Sequence, residues 1–270
     1  MSKINSDYRE KMKEIMKNPE YVSSPRGLKI AEVLNDSFSC DMDCPIITLE
    51  SRNLNYSFMT GEAAWMLDGR NDVKTISSFM KGIVRFSDDG IYFFGAYGPK
   101  IVSQLQYVLR TLKADQDSRQ AVINIWRESP GSSKDIPCTL SLQFLLRKSS
   151  DKLWLHTIAT MRSNDVWLGL PYDSFNFSAI SFYLACLLRS NGVSCNLGKL
   201  TINAGSRHVY ESDFEKVQNA LVIEDSFPLD FSFNNLINQY YERPDQFTEG
   251  LYEAAGSKFT LPENKFEIIQ

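Results

Sequence analysis

The stretch Asp135-Ile136-Pro137-Cys138-Thr139-Leu140-Ser141-Leu142-Gln143, followed after a short interval by Arg162-Ser163-Asn164-Asp165-Val166-Trp167-Leu168-Gly169-Leu170-Pro171-Tyr172-Asp173, decides how the chain folds. Leu140, Leu142, Phe144 and Leu146 alternate with Thr139, Ser141 and Gln143, a period of two that predicts a strand with one apolar and one partly polar face. A second strand runs from Leu153 to Ser163, and the polar turn Lys148 to Lys152 makes the two a hairpin. From Asp173 to Arg189 the chain is apolar nearly all round and stops at Asn191-Gly192, so it reads as a buried central helix with Asp173 at its mouth. One candidate nucleophile, one anion-binding arginine and two carboxylates therefore fall within a single supersecondary unit.

Downstream, Lys199 to Ser206 reads as a further strand, with His208 and Tyr210 two apart on one face. Ser212 and Glu215 have capping-box spacing for a helix through Ala220. From Phe227 onward short strands and Asn/Gln-rich turns are expected. Upstream, Tyr8, Met12, Ile15 and Met16 recur at helical spacing and end before Pro19. Tyr21 to Gly27 reads as a loop carrying Arg26, and Leu28 to Phe38 with Pro45 to Leu49 suggests an antiparallel pair. Glu62 opens a helix-favouring run to Leu67, closed by Asp68-Gly69. Tyr97 stands in the turn Gly95-Ala96-Tyr97-Gly98-Pro99, after which Ile101, Leu105, Val108, Leu109 and Leu112 form a core stripe. Arg119 ends a polar turn before the β-rich run Ala121 to Trp126.

Composition bounds these readings. The 270 residues are 43% hydrophobic and 12% aromatic, enough for one large core, and no linker, repeat or low-complexity tract divides them, so one domain over residues 1–270 is expected. A net charge of −4 gives no global basic field, and neither nucleic acid nor a membrane surface is expected as a partner. An anionic substrate would rely on local arginines. The start is polar, no stretch reaches bilayer-spanning length, and a cytoplasmic location follows. Cys40, Cys44, Cys138, Cys186 and Cys195 make an odd set that suits reduced thiols. Cys40 and Cys44 have half-site spacing, but with two histidines in the chain no metal is expected.

Each candidate has an ordinary reading when it stands alone. Cys138 could be a strand-start thiol, Asp173 a helix cap, His208 a satisfied core histidine, Arg26 a solvated arginine and Glu62 an exposed helix residue. His156 matches no motif and is read as structural. The order of the candidates along the chain is what changes the balance. Pro137-Cys138 with Gln143, then Arg162-Ser163-x-Asp165-Val166-x-x-Gly169-x-Pro171, then His208-x-Tyr210, resembles the thymidylate synthase family. Arg26, Glu62-x-x-Trp65, Tyr97-Gly98 and Asp117-Ser118-Arg119 fall where that family has its earlier motifs. The resemblance runs from about Ser24 to Tyr210 and implies an α+β fold, a large mixed sheet packed with helices around a buried central helix.

The resemblance also implies chemistry. Cys138 would add as a thiolate to C6 of a pyrimidine nucleotide, making C5 nucleophilic toward the one-carbon group of 5,10-methylenetetrahydrofolate, a co-substrate. Arg162 would lower the thiol pKa and grip phosphate with Arg26, Ser163 and Arg119, the last supplied by the partner subunit of a homodimer. Gln120, where the family has a second arginine, weakens that clamp. Glu62, through water, and Tyr97 would handle protons; Asn164 or Asp165, with Gly169, would lie near the folate; Gln143 belongs to the nucleotide set; His208 and Tyr210 would hold the sugar hydroxyl.

Three departures narrow the expectation. Asp173 replaces an asparagine that pairs with uracil, and a carboxylate accepts from the N4 amino group of cytosine while repelling the O4 of uracil. Cys138-Thr139 and Met161 to Val166 are similar to the deoxycytidylate hydroxymethylase branch. The segment Gly82-Ile83-Val84-Arg85-Phe86 lacks a tryptophan that would shield the intermediate from water. The expected reaction is hydroxymethylation of dCMP, yielding tetrahydrofolate, in a host cytoplasm if the protein is phage-encoded. The alternatives are a pyrimidine nucleotide 5-methyltransferase yielding dihydrofolate, of the thymidylate synthase or dCMP methylase type, and a non-catalytic nucleotide-binding protein. Ribose and deoxyribose are not distinguished, and Phe266 to Gln270 differ from the family's usual closing tail.

Overall fold

The computed structural model describes residues 2–128, 131–223 and 225–256. Helix α1 (Lys3–Lys17) opens the chain and turns Tyr8, Met12 and Ile15 inward. A short strand β1 (Tyr21–Ser23) and the long strand β2 (Ile30–Asp41) follow, then helices α2 (Tyr56–Leu67), α3 (Val73–Ser77) and α4 (Gly98–Ala114). Strand β3 (Val122–Asn124) leads to the hairpin β4 (Thr139–Ser149) and β5 (Lys152–Asp165), and helix α5 (Leu170–Ser190) crosses to strand β6 (Asn196–Tyr210). Helices α6 (Phe214–Val222), α7 (Phe233–Tyr240) and α8 (Pro244–Gly256) end the described chain.

The strands form one sheet in the order β1-β2-β6-β5-β4-β3. Every pairing is antiparallel except β5 with β6, which α5 connects as a crossover. The predicted α+β class, with a mixed sheet around a buried helix, is what is observed. Because α5 is buried on nearly every side, its serines have no water to turn to; Ser174, Ser178 and Ser181 donate to the carbonyls of Leu170, Ser174 and Phe177, four residues back. Ser181 also bonds Thr157 of β5 at 2.7 Å, fastening helix to sheet. No helix among the described residues is long and apolar enough to cross a membrane.

Several sequence expectations change. Pro45 to Leu49 is not a strand. Its apolar side chains are buried, but the Asn5 side chain of α1 takes the place of a ladder, bonding both Thr48 N and Thr48 Oγ1 at 2.9 Å. Strand β2 pairs instead with β1 and β6, so part of the expected Tyr21–Gly27 loop is strand. Glu62 lies in the middle of α2, because Asn55 caps the helix a full turn and more upstream by accepting from Phe58 N.

The remaining corrections are local. A register shift between Thr139 and Ser141 buries Thr139 and turns Leu140 partly outward, against simple alternation. No capping box forms at Ser212 and Glu215; Asp213 flanks α6 and pairs with Lys216 at 2.6 Å. The segment expected to hold short strands is helical, since Ser232 caps α7 and Phe233, Ile237 and Tyr240 make one buried face. Phe233 and Phe247 close on Phe182 of α5, with ring centroids 4.9 and 4.6 Å away. Phe266 to Gln270 lie outside the described residues.

The β4–β5 hairpin has a two-residue loop, Ser150-Asp151, with both residues at positive φ (49° and 63°). That is the backbone of a type I′ turn, which asparagine followed by glycine suits better. Replacing Ser150-Asp151 by Asn-Gly is expected to stabilise the protein by roughly 0.5–1 kcal/mol in urea unfolding; an unchanged or lowered midpoint would count against this turn.

Candidate active site

The register of the sheet gathers the predicted residues. Ser163 pairs with Ser206 and Asp165 with His208, so the carboxyl ends of the parallel strands β5 and β6 lie side by side. Helix α5 starts immediately beyond β5 and brings Asp173 in its first turn. Cys138 stands just before β4, which runs the other way, and so reaches the same end. This is where an α/β crossover leaves a crevice. The cleft formed there has a volume of about 920 Å³.

Cys138, Tyr97, Asp173, Arg162, Ser163 and Asn164 line it, as do Arg26, Asp165, Gly169, His208 and Tyr210. Gly169 has a steric reason: a Cβ there would meet Asp165 O at 3.2 Å and Asp173 Oδ2 at 3.3 Å. Arg26 is exposed and sits at φ 56°, a left-handed conformation rare for arginine, in the 3₁₀ turn Pro25–Gly27. Three predicted residues are not in the cleft lining. Glu62 lies behind Asp173 and accepts from Asn176 Nδ2 at 2.7 Å. Gln143 donates to the backbone oxygen of Arg119 at 2.9 Å, and Arg119 itself is exposed.

Burial governs the charge states. Arg162 donates to Pro137 O at 2.9 Å and Ile136 O at 3.1 Å, and its Nη2 lies 3.7 Å from Cys138 Sγ. Ser163 Oγ is also 3.7 Å from the sulfur. Both pull the thiol pKa down, yet desolvation outweighs them and the net shift is upward, contrary to the sequence expectation. Tyr97 OH receives Thr139 N at 3.1 Å and Thr139 Oγ1 at 3.0 Å, and burial raises its pKa. Burial also raises Glu62 to about 7 and Asp165 to about 6. Asp173 goes furthest, to about 8, driven first by burial and then by the Glu62 charge, while Arg207 and Asn164 oppose the rise.

Three buried polar atoms have no partner among the described residues: Asp165 Oδ2, Asn176 Oδ1 and His208 Nδ1. Two belong to cleft residues, where a ligand's polar groups would complete them. Beside the cleft, and sharing Leu168 with it, a second hollow of about 510 Å³ is bordered by Arg52, Trp167, Tyr172 and Lys216. Among the described residues no group of three or more His, Cys, Asp or Glu side chains could hold a metal.

Sequence reasoning missed Ser206 and Glu32, which form a hydrogen-bonded pair at the cleft edge at 2.5 Å, and Phe86, which lines the cleft from the 3₁₀ segment where a tryptophan was sought. Phe86 could have been found by asking for any aromatic. It also missed Arg207, whose guanidinium has no exposed surface and joins Asp36 to Asn164; nothing local marks it.

A thymidylate synthase family model matches residues 6–240. The chain is 28% identical over 267 residues to a deoxyuridylate hydroxymethyltransferase of Bacillus phage SP01, covering 88% of this chain and 67% of that protein. It is 31% identical over 222 residues to a deoxyuridylate hydroxymethyltransferase of Pseudomonas phage M6, covering 78% of this chain and 58% of that protein. A thymidylate synthase of Buchnera aphidicola (subspecies Schizaphis graminum, strain Sg) is 22% identical over 232 residues, covering 80% of this chain and 83% of that protein. The matches thus span between about half and two thirds of the length of the phage relatives.

The raised Asp173 pKa fixes a stability trend. The carboxyl titrates near 3.8 when unperturbed and near 8 in the fold, so between those values the folded chain holds the extra proton and stability falls as pH rises. In urea unfolding followed from about pH 4 to about pH 8, Asp173→Asn is expected to flatten that fall; a slope identical to wild type would show that the carboxyl is not held neutral.

Proposed function

The chain belongs to the thymidylate synthase family, and we propose that its single catalytic domain transfers a one-carbon unit to C5 of dCMP, with water capture giving 5-hydroxymethyl-dCMP and tetrahydrofolate. Enzymes of this family use 5,10-methylenetetrahydrofolate as co-substrate, and here it would supply the electrophilic methylene carbon. The observation that carries the reading is the cleft itself: a cysteine at the start of β4, an arginine near the end of β5 and a half-buried carboxyl in the first turn of α5, all lining one cleft.

In this reading Cys138 Sγ bonds to C6, the C5–C6 π pair moves onto C5, and C5 attacks the one-carbon unit. The thiol pKa is raised, so its proton must leave as sulfur attacks; the Glu62 carboxyl, raised to about 7, can take up and return protons at neutral pH. Tyr97 fits removal of the C5 proton; the electron pair of that C–H bond forms the exocyclic double bond while the bond from the methylene carbon to the folate nitrogen breaks, and tetrahydrofolate leaves with the pair of the broken bond and a proton. Water then adds to the exocyclic methylene, and the thiolate leaves C6. Arg26 and Arg162, both exposed at the cleft, suit the phosphate. Asp165, with Oδ2 unpartnered, suits the amino and N–H donors of a pterin, and the hollow bordered by Arg52 and Lys216 suits an anionic folate tail. His208 and Tyr210, their rings 5.1 Å apart, suit the sugar hydroxyl.

The hydroxymethyl outcome agrees with what the phage relatives are named for, and the base does not, since both names specify deoxyuridylate. The preference for cytosine rests on Asp173, which offers an acceptor to the N4 amino group. Among the described residues its Oδ1 has no hydrogen-bond partner, which leaves that oxygen for a base. A homodimer is supported by Arg119, which is exposed and absent from its own cleft, and by the outward sheet face around Leu145, Trp154 and Ile158, which remains half-exposed.

Two measurements test this. With methylenetetrahydrofolate and equal dCMP and dUMP, the product of dCMP is expected to gain the mass of a hydroxymethyl group without dihydrofolate absorbance; dihydrofolate formation would remove the hydroxymethyl assignment, and Asp173→Asn should shift preference toward dUMP. For the dimer, Cys138→Ala and Arg119→Ala proteins, each inactive alone, should regain activity when their subunits are exchanged by mild unfolding and refolding. No regain would place Arg119 outside the partner's site.

A further inference from the structure

Among the described residues Arg207 heads the large, fully buried side chains, and it takes no direct part in the cleft. Its three donor groups have three separate partners. Nε pairs with Asp36 Oδ2, Nη2 donates to Ile202 O at 2.7 Å, and Nη1 donates to Asn164 Oδ1 at 2.5 Å. Asp36 is itself held by Lys11 of α1 at 2.5 Å. A guanidinium has no acceptor, so the atom of Asn164 that faces it must be the amide oxygen. The amide nitrogen therefore faces the other way, and it donates to Asp173 Oδ2 at 2.7 Å. An asparagine free to flip could offer Asp173 either a donor or an acceptor; this one cannot flip.

We propose that Arg207 is a positioning residue for base selection: through Asn164 it favours the acceptor form of the Asp173 carboxyl, which an amino-bearing pyrimidine satisfies and an oxo-bearing one does not. The inference rests on the assignment of Asp173 to the base edge. The tether opposes the rise of Asp173 to about 8 without cancelling it; once it is lost, Glu62 from α2 and Asp165 from β5 push the carboxyl further toward its neutral form, with Cys138 and Tyr97 adding negative charge whenever they ionise. A neutral carboxyl carries an O–H and can donate to the O4 of uracil as readily as it accepts from N4 of cytosine, so discrimination would weaken.

The test compares kcat/KM for dCMP and dUMP in wild type, Arg207→Lys, Asn164→Ala and the double variant. Lysine keeps the charge for Asp36 but cannot also lock the amide, and Asn164→Ala breaks the tether while leaving the Arg207–Asp36 pair in place. A hydrogen bond to a charged group lost in this way corresponds to roughly a tenfold or greater fall in the dCMP-to-dUMP ratio. Both single variants should show that fall, the double variant no more than Asn164→Ala alone, and the ratio should rise with pH in every protein as Asp173 ionises, at a higher pH in the variants than in wild type. A folded Arg207→Lys protein that loses activity equally on both nucleotides, with the pH profile of the ratio unmoved, would reduce Arg207 to a structural role. If Arg207→Lys does not fold, an unchanged ratio in Asn164→Ala overturns the proposal by itself. A wild-type preference for dUMP would refute the base assignment instead, and the change of ratio between wild type and variants would still decide the tether.

Discussion

The structure depends on the burial of α5. A helix enclosed on nearly every side can carry polar side chains only if each finds a partner, and its serines do so by turning back onto their own backbone. With its position fixed by the sheet on one side and by Phe233 and Phe247 on the other, its first turn is held rigidly at the end of β5 and β6. The same enclosure raises the pKa of three carboxyls near that turn, Glu62, Asp165 and Asp173. Packing and proton chemistry thus have one cause, the exclusion of water around this helix.

Seen this way, the cleft opposes a desolvating environment with very few compensating charges. Arg162 divides its donors between two carbonyls and the region of the sulfur, so it cannot by itself make the thiol acidic. Arg207 lies too deep to line the cleft, but it bonds Asn164, which in turn bonds Asp173 of the lining. Asn176 and Asn164 each carry a single hydrogen bond to one of the two carboxyls, Glu62 and Asp173, and neither bond is strong enough to cancel burial. The carboxyls remain poised near neutrality, where small changes in their surroundings move protons.

Much of this was legible in the chain because it is local. The period of two around Phe144, the polar turn before Leu153 and the apolar run closed by Asn191-Gly192 specify hairpin and helix without distant information. Of the eleven cleft residues found in advance, all but Arg26 of the Pro25–Gly27 turn fall near strand ends or at the starts of α4 and α5, where sequence motifs and geometry coincide. What could not be read depended on partners far along the chain. Pro45 to Leu49 has the composition of a strand, and only the Asn5 side chain, bonded to Thr48, shows why no strand partner is needed. Ser232 and the aromatics behind it read as turn and strand until Phe182 supplies the surface that makes a helix favourable. Arg207 has no motif at all, since its meaning comes from Asp36 on one strand and Asn164 on another.

The central pairing of β2 with β6 has a consequence for biosynthesis. Ile30 lies against Tyr210 and Asp41 against Lys199, so a strand made among the first residues waits for one made near the last of the sheet. On a ribosome the completed β2 would offer its backbone donors and acceptors to any passing edge until β6 emerges, a long exposure for a twelve-residue strand. Such high contact order slows folding, and the floor of the cleft, which needs both β5 and β6, is among the last parts to become complete.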